Sequence, residues 1–262
     1  MKCFKLKALC CCIMLASTAF SQPPKKQLAA KRITSNIKID GVLDDAAWKE
    51  ASKADKFIES RPVSLRTESA DNASEVYIAY NNEGIFVGGY YHEKTKDSIS
   101  TELIGRDGFG NNDFGGVIID TYLDKLNGFE YFVTPLNEQW DAKMSPPSPN
   151  SESEDFSWNA VWESNVAIHN DGWSLEMFIP FSASRFGNKD VQDWGLNITR
   201  RRRTSEEQYT WNPIDPRVNG FLTQEAVWKG LSIGKPPIRL QFSPYFSSYI
   251  NHFPSPEPVV KS

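Results

Sequence analysis

Residues 105–142 constrain the fold of this chain more than any other stretch. A polar, glycine-rich loop leads into a run of β-forming residues at 114–122, a turn follows at 124–128, and a second such run covers 129–134. Apolar runs of this length between Gly, Asn and Asp clusters are typical of a buried β-hairpin. We expect a functional site where the loops of this hairpin meet, because its ends carry the acids Asp107, Asp113, Asp120, Asp124 and Asp141.

Short strands of the same kind follow one another along the rest of the chain. Strands are expected at 32–40, 75–80, 85–92, 160–169, 173–179, 194–202, 208–211 and 226–233. Helix is expected only as short segments, at 45–52 with Asp44 as its N-cap and at 180–186. Strand after strand at even spacing predicts an all-β fold, an antiparallel, jelly-roll-like β-sandwich with one or two short helices, over residues 33–235.

Alternation along these strands predicts which side chains face the core, because successive residues of a strand point to opposite faces. Trp48 is expected to face the core from the first short helix, and Glu176 is expected to orient a buried neighbour or a strand end. The predicted buried set is Trp48, Val76, Ile78, Phe86, Val117, Ile119, Phe132, Trp173, Leu175, Ile179 and Leu196.

Residues 1–21 have the pattern of a secretory signal peptide. Basic residues precede an apolar segment at 8–15, which is too short to span a bilayer, and Ala19-Phe20-Ser21 suits signal peptidase. All four cysteines lie in this segment, so the mature chain has no disulfide and no thiolate zinc site. Loss of its three lysines takes the formal charge from −4 to −7, which argues against nucleic acid as a partner.

The two ends of the mature chain differ in composition from its centre. Residues 22–32 are rich in Pro, Lys and Gln and are interpreted as a linker. Beyond Pro236-Pro237, residues 236–262 alternate apolar and polar positions in the manner of amphipathic strands. One or two such strands cannot satisfy their own edges, so we interpret this tail as the truncated start of a β-rich, barrel-like region that contributes little to the sandwich.

Three motifs, in the right order, resemble the family 9 carbohydrate-binding modules. They are IDGVLDDAAW at 39–48, NDFGGVIID at 112–120 and GWSLEMFIP at 172–180. The resemblance covers about residues 33–233. DTYLD at 120–124, FVTP at 132–135 and DFSWNAVW at 155–162 are more similar to a subgroup of exported bacterial proteins in which a long outer-membrane-barrel-like region follows the module.

The resemblance implies a β-sandwich that binds poly- or oligosaccharides and is often attached to glycoside hydrolases. It also implies a possible outer-membrane connection through a missing C-terminal region. In the family a Trp before the central strand, a Glu within it and an Arg on the next strand hold the sugar. Those positions fall near Phe109 or Gly110, at Gly116 and near Phe132, so the Glu and Arg are absent here; the second aromatic clamp falls near Trp211 or Phe221.

A sugar site needs aromatic faces for the apolar side of the ring and planar polar groups for its hydroxyls. Loop positions supply both, and the candidate carbohydrate-binding residues are Phe109, Asn112, Asp113, Trp140, Trp158, Arg200, Trp211 and Phe221. The run Arg200–Arg203 should place alternate residues on opposite faces, paired with acids such as Asp155, Asp193, Glu206 and Glu207.

Oxygen-rich loops suit Ca²⁺, and Asp120 with Asp124 is the best candidate pair for a structural ion, although turn chemistry explains the same residues. Asp113 and Asp120 are too far apart along one strand to share an ion. Catalysis would need paired carboxylates about 5–10 Å apart, and the sequence offers Glu102, Asp107, Glu130, Glu138, Asp141 and Glu176 without placing any pair.

Three functions therefore remain open from the sequence. The leading hypothesis is a non-catalytic, extracytoplasmic carbohydrate-binding module that serves polysaccharide binding and catabolism. The second is a component of a glycoside hydrolase acting on O-glycosyl bonds. The third is a periplasmic scaffold or plug domain of an outer-membrane barrel protein with no sugar ligand. An exposed aromatic pair across a groove would favour the first, two facing carboxylates the second, and a large apolar patch the third.

Overall fold

The chain folds as two β-sheets packed face to face, and a computed structural model describes residues 25–146, 153–218, 220–234 and 245–250. The strands, in chain order, are β1 Gln27–Ala29, β2 Ser52–Ala54, β3 Ile58–Arg61, β4 Ser74–Tyr80, β5 Gly84–His92, β6 Phe114–Asp120, β7 Gly128–Val133, β8 Gln139–Met144, β9 Glu154–Asp155, β10 Glu163–His169, β11 Gly172–Pro180, β12 Gln192–Arg202, β13 Glu207–Thr210 and β14 Ala226–Leu231. Helix is limited, in these residues, to single 3-10 turns at Ala46–Lys49, Ala70–Asn72, Lys96–Ser98, Phe181–Ala183 and Leu222–Gln224.

One sheet runs in the order β1-β14-β12-β6-β7-β8-β9, with β13 joining the end of β12 to β3. The other runs β10-β11-β5-β4-β2. Strand pairing is antiparallel throughout the two sheets except between β1 and β14, which are parallel. The predicted antiparallel β-sandwich is confirmed. No helix in the described ranges is long and apolar enough to cross a membrane.

The core lies between the inner faces of the two sheets and is rich in aromatic residues. Trp173, Trp194 and Trp228 are each 0% exposed, and Tyr91 and Tyr131 pack beside them. All eleven residues of the predicted buried set are buried: Trp48, Val76, Ile78, Phe86, Val117, Ile119, Phe132, Trp173, Leu175, Ile179 and Leu196. Three of them are buried outside this central core. Phe132 lies on the outer face of its sheet in a separate cluster with Ile118 and Trp140. Trp48 and Phe86 belong to another cluster, so Trp48 faces this smaller cluster and not the central core as expected.

Several local expectations need correction. Residues 27–29, placed in the linker from sequence, form β1, because their backbone pairs with β14 and Leu28 is buried. The helix expected at 45–52 is one 3-10 turn at Ala46–Lys49, and its N-cap position is Asp45 rather than Asp44. The strand expected at 160–169 begins at Glu163. Residues 245–250 have no regular secondary structure and expose Tyr245 and Phe246, while the rest of the tail and the signal segment lie outside the described residues.

Glu176 ties the N-terminal segment to β11. Its Oε1 accepts a hydrogen bond from Trp48 Nε1 at 2.8 Å, and its Oε2 accepts from the backbone N–H groups of Asp40 and Gly41, each at 2.9 Å. Gly41 has φ +89°, and a Cβ there would lie 2.5 Å from the carbonyl carbon of Val166. The expected orienting role of Glu176 is confirmed, because its carboxyl group binds N–H groups at both ends of the Asp40–Trp48 segment.

The arginine run divides between the two faces of β12, as expected. Arg200 points inward, is 0% exposed, and its Nη2 lies 2.8 Å from Oε1 of buried Glu93, which Arg202 also contacts. Arg202 pairs with Glu207, and Arg201 and Arg203 pair with Glu206. Pairing with Glu206 and Glu207 was predicted, whereas Glu93 was not.

Candidate functional site

A pocket of about 450 Å³ opens on the outer face of the nine-stranded sheet. Its lining side chains form rows that run across the strands, because side chains at paired positions of neighbouring strands lie side by side. One row crosses four strands as Thr199, Gly116, Phe132 and Trp140. These side chains point away from the central core, since Val117, the neighbour of Gly116, points into it.

The neighbouring rows complete the walls of the pocket. On one side Arg61, Gln208, Arg201 and Phe114 lie next to one another on β3, β13, β12 and β6. On the other side Ile118 of β6 pairs with Glu130 of β7. The pocket therefore has Arg61 and Arg201 along one wall and Glu130 on the opposite wall, with aromatic rings between the two walls.

Aromatic rings form the floor. The ring centroids of Phe132 and Trp140 are 4.8 Å apart, and Phe109 lies 3.9 Å from Trp140 in an edge-on arrangement. Phe114 packs against Phe109 at 5.0 Å, and Phe221 lines the pocket nearby. Phe109, Phe114 and Phe221 are only half-buried, so part of this aromatic surface is open to a ligand.

The absence of a side chain at Gly116 leaves room for the ring of Phe132 in the floor of the pocket. A Cβ at this position would lie 2.1 Å from the carbonyl oxygen of Tyr131 and 2.7 Å from Cδ1 of Phe132. The ring of Phe132 therefore covers the place where a side chain of residue 116 would stand.

The loop before β6 holds Phe109 over the floor through Asn112. Asn112 Nδ2 donates to the carbonyl oxygens of Glu102 and Phe109 at 2.8 and 3.0 Å, and its Oδ1 accepts from the backbone N–H of Glu102 at 2.5 Å. Asn112 lines the pocket, but its amide is fully used within the loop. Its role in this geometry is to position Phe109.

Three buried polar groups of the pocket have no hydrogen-bond partner among the described residues. They are Oε2 of Glu130, Nε1 of Trp140 and Oγ1 of Thr199. Burial raises the pKa of Glu130 to about 9, with a further contribution from Glu154, so its carboxyl group is neutral at pH 7 and can donate a proton. A buried polar group without a partner costs about 1–3 kcal/mol, so a ligand that satisfies these groups gains that energy on binding.

Four of the predicted carbohydrate-binding residues lie outside this pocket. Trp211 is 5% exposed and packs in the central core, where the ammonium of Lys26 lies 5.5 Å from its ring centroid. Trp158 packs on Phe129, with centroids 5.0 Å apart, at the core side of the sheet. Their aromatic faces are used for packing, so neither is positioned as a sugar platform in this pocket.

The other two are polar and occupied. Arg200 is held in its buried ion pair with Glu93. Asp113 is 1% exposed, and its Oδ1 accepts a hydrogen bond from the backbone N–H of Arg203 at 2.6 Å. Its own backbone N–H donates to the carbonyl oxygen of Ser100 at 2.9 Å. Burial raises the pKa of Asp113 to about 6. Both residues stabilise the strand ends behind the pocket, whereas Phe109, Asn112, Trp140 and Phe221 are brought together in it.

In the turn proposed for calcium, the carboxylates of Asp120 and Asp124 accept hydrogen bonds from backbone N–H groups of the same turn. Asp120 accepts from the backbone N–H groups of Tyr122 and Lys125 at 3.0 and 2.6 Å, and Asp124 accepts from those of Leu126 and Asn127. Within the described residues, no group of three or more His, Cys, Asp or Glu side chains is arranged to hold a metal ion. These oxygens face N–H donors and do not fit a cation as they stand, so calcium binding at this turn stays a prediction.

A second depression, of about 700 Å³, lies on the outer face of the other sheet. Its tyrosines already have partners, because Tyr77 donates to Glu75 at 3.1 Å and Tyr90 donates to Asp171 at 2.7 Å. Because both tyrosine hydroxyls are already bonded, whereas the pocket on the nine-stranded sheet keeps unpartnered buried groups, we take that pocket as the candidate site.

The architecture matches solved carbohydrate-binding modules of family 9. One from Caldicellulosiruptor kristjanssonii, in complex with cellotriose, aligns with a TM-score of 0.56 and 11% identity over 85% of this chain and 100% of that chain. A second structure from that organism, in complex with glucose, gives a TM-score of 0.55 and 11% identity over 78% of this chain and 95% of that chain. The fold is family-9-like.

A candidate carbohydrate-binding protein from Bacteroides uniformis is also similar, with a TM-score of 0.59 and 11% identity over 79% of this chain and 99% of that chain. No protein-family model matches the chain, and no curated protein matches its sequence. The structural likeness at this identity establishes the fold, and the pocket must carry the argument about function.

Sequence reasoning missed several contributors to the pocket as binding residues, among them Phe114, Glu130, Thr199 and Arg201. Glu130 was noted only as one of several possible catalytic acids. The signal that could have found them is strand register. Once β12, β6 and β7 are aligned in antiparallel order, these four fall on the same face as Gly116.

Proposed function

We propose that this chain is a carbohydrate-binding module whose sugar lies in the pocket on the nine-stranded sheet. Two features of the pocket carry the proposal together. The first is its aromatic floor, in which the half-buried rings of Phe109, Phe114 and Phe221 are open to a ligand. The second is the pair of unpartnered polar groups on Glu130 and Thr199. A sugar ring has an apolar face that packs on aromatic rings and hydroxyls that bond to such groups. The volume of about 450 Å³ is within the range of small-ligand pockets.

The solved neighbours support the same assignment. Two of them hold cellotriose or glucose within the same fold. The route to a sugar differs in this chain, because Gly116 and Phe132 replace the hydrogen-bonding pair inferred from the family. Polar contacts come instead from β12, through Thr199 and Arg201, and from Glu130 on β7.

We also propose that the module works outside the cytoplasm in polysaccharide binding and carbohydrate catabolism. The support is the basic and apolar pattern of residues 1–21, together with a mature sequence that has no cysteine. N-terminal sequencing of the protein exported by its native host should begin at Gln22. Recovery of an intact N-terminus in the cytoplasmic fraction would contradict this part of the proposal.

Isothermal titration of the mature chain with glucose, cellotriose and a panel of plant and bacterial oligosaccharides tests the binding function. The variants Phe109→Ala and Phe221→Ala should each weaken binding by about tenfold, equivalent to about 1.4 kcal/mol, because both rings are half-buried at the pocket. Tyr122→Ala is the matched control, since Tyr122 is 51% exposed and lies outside the pocket. Equal effects of all three variants, or no heat with any sugar, would refute the proposal.

A hydrolytic function is a second candidate because Glu130 and Glu154 both line the pocket. A neutral Glu130, with its pKa raised to about 9, has the protonation state of a general acid at pH 7. Release of reducing ends from an oligosaccharide, abolished by Glu130→Gln, would establish the second function. Binding without hydrolysis over a prolonged incubation would leave the non-catalytic module.

A further inference from the structure

The charge of the pocket points to the class of sugar it takes, if the proposed function holds. We propose that the ligand carries an anionic substituent, a carboxylate or a sulfate, held by Arg61, Arg201 and Arg203 at one end of the pocket. All three arginines line it. The apolar part of the sugar then lies on the aromatic floor beside them.

The three arginines come together through strand register. Arg61 on β3 pairs with Gln208 on β13, which pairs in turn with Arg201 on β12. Neighbouring strands lie about 4.8 Å apart, so the two arginine backbones are only about 10 Å from each other. Arg203 follows directly after β12, and its Nη1 lies 3.0 Å from Oε2 of Glu206.

Positive charge exceeds negative charge at this end of the pocket. Glu206 is the one acid in the described chain that forms ion pairs with Arg201 and Arg203, and it serves both. Arg61 donates to the neutral amide oxygen of Gln208 and forms no ion pair there. Three guanidinium groups therefore share one carboxylate, which leaves an excess of two positive charges.

Burial makes that excess costly. The side chain of Arg201 is only 8% exposed, whereas that of Glu206 is 57% exposed and lies at the rim. Burial lowers the pKa of Arg201, and the charges of Arg61 and Arg203 lower it further. Because like charges held close together in a partly dry site repel one another, an anion between them would relieve this repulsion.

The remaining polar groups of the pocket agree with an acceptor-rich ligand. The unpartnered Trp140 Nε1 can only donate, and neutral Glu130 and Thr199 can each donate as well. Carboxylates and sulfates offer acceptors only, and guanidinium groups bind them through two parallel hydrogen bonds. A neutral sugar would pack on the aromatic floor but would leave the excess positive charge of the three arginines unbalanced.

The position of Glu154 predicts how an anionic ligand is oriented in the pocket. This acid lies on β9, four strands from Arg201 in the order β12-β6-β7-β8-β9, which is about 19 Å across the sheet at the usual strand spacing. The strand register displaces it further in the direction of the strands. The anionic group should therefore bind at the arginine end, with an uncharged part of the saccharide over the half-buried rings of Phe109, Phe114 and Phe221. An anion at the Glu154 end would be repelled.

A matched pair of ligands tests the inference by isothermal titration with the mature chain. One is an oligogalacturonide and the other is the same oligomer with its carboxylates methyl-esterified; a sulfated disaccharide and cellotriose form two further arms. The free acid should bind about tenfold more tightly than its ester at low salt. That advantage should shrink in 0.5 M NaCl, because salt screens charge interactions.

The variant Arg61→Gln provides the structural test, because Arg61 is exposed and its loss should not unfold the sheet. It should weaken binding of the anionic ligands severalfold more than it weakens binding of cellotriose. Arg217→Gln is the matched control, an exposed arginine paired with Asp215 outside the pocket. Arg201→Gln should give a larger loss, with thermal unfolding used to confirm that it folds.

The outcomes separate this inference from the proposed function. Tighter binding of either the carboxylated or the sulfated sugar, weakened by Arg61→Gln, supports it and identifies which anion is preferred. Equal binding of acid and ester, unaffected by Arg61→Gln, overturns the anionic inference while the carbohydrate-binding function stands. If no sugar binds in any arm, both fall.

Discussion

Replacing Glu130 with glutamine tests whether this carboxyl group is neutral in the folded protein. Glu130 is 1% exposed, and burial raises its pKa from 4.5 to about 9. Between these two values the folded state holds a proton that the unfolded state has released. Stability therefore falls as pH rises through this window, is highest with respect to this group below pH 4.5, and levels off above pH 9. Glutamine has nearly the same shape and no titrating proton.

The expected loss of stability follows from the difference between the pKa values of Glu130 in the folded and unfolded states. Each pH unit between the two pKa values changes the free energy of unfolding by about 1.4 kcal/mol. From pH 5 to pH 8 the wild-type protein should therefore lose about 4 kcal/mol relative to Glu130→Gln. Burial also raises the pKa of Glu225 to about 9, but that group is present in both proteins and cancels in the difference.

Urea denaturation followed by tryptophan fluorescence, at pH 5, 6, 7 and 8, measures this difference. The two stability curves should diverge with rising pH, and Glu130→Gln should be the more stable protein at pH 8. Glu83→Gln is the matched control, because Glu83 is exposed in a turn. Parallel curves for wild type and Glu130→Gln would refute the argument that Glu130 is buried and protonated.

Three further substitutions test the framework around the pocket, each by chemical denaturation at pH 7. Glu176→Gln disturbs the acceptor of three N–H donors and should cost about 2 kcal/mol or more, whereas Glu163→Gln, exposed on β10, should cost little. Gly116→Ala places a Cβ 2.1 Å from a carbonyl oxygen and should destabilise by about 1–3 kcal/mol, whereas Gly187→Ala meets nothing nearer than 3.7 Å and should fold normally. Glu93→Gln leaves buried Arg200 without a carboxylate and should cost about 3–5 kcal/mol, against less than about 1 kcal/mol for Asp215→Asn in an exposed pair. A Glu93→Gln effect no larger than that of Asp215→Asn would show that Arg200 does not depend on this ion pair.

The residue pattern is enough to predict the fold class and which residues are buried. Apolar and polar residues alternate with a period of two between turn-forming clusters. In a strand, this period places the apolar side chains on one face, which is the pattern of a sheet with one buried face. For that reason the expected buried residues are buried, and the hairpin at 114–134 forms β6 and β7. Glu176 was also predictable, because a carboxyl group in the middle of an apolar strand must have buried donors.

Strands without an apolar pattern were harder to predict. β1, β2, β3 and β9 are two to four residues long, and their backbone hydrogen bonds come from partners distant in sequence. β8 contains Lys143, Asp141 and Gln139 beside Trp140, so its composition resembles a loop. Pairing with β7 makes it a strand, and that contact is a tertiary one.

Which aromatic and charged residues line the pocket depends on how the strands pair, and the residue pattern does not show this. Trp140 and Trp211 both look like loop aromatics in the sequence, yet one joins the outer floor and the other fills the core. Which face an aromatic residue occupies depends on the register of its strand, since a shift of one residue turns every side chain over. The same register brings Arg61 beside Arg201 across β13, although 140 positions separate them in the chain, because spatial neighbours in a sheet are set by hydrogen-bonded pairing and not by distance along the sequence.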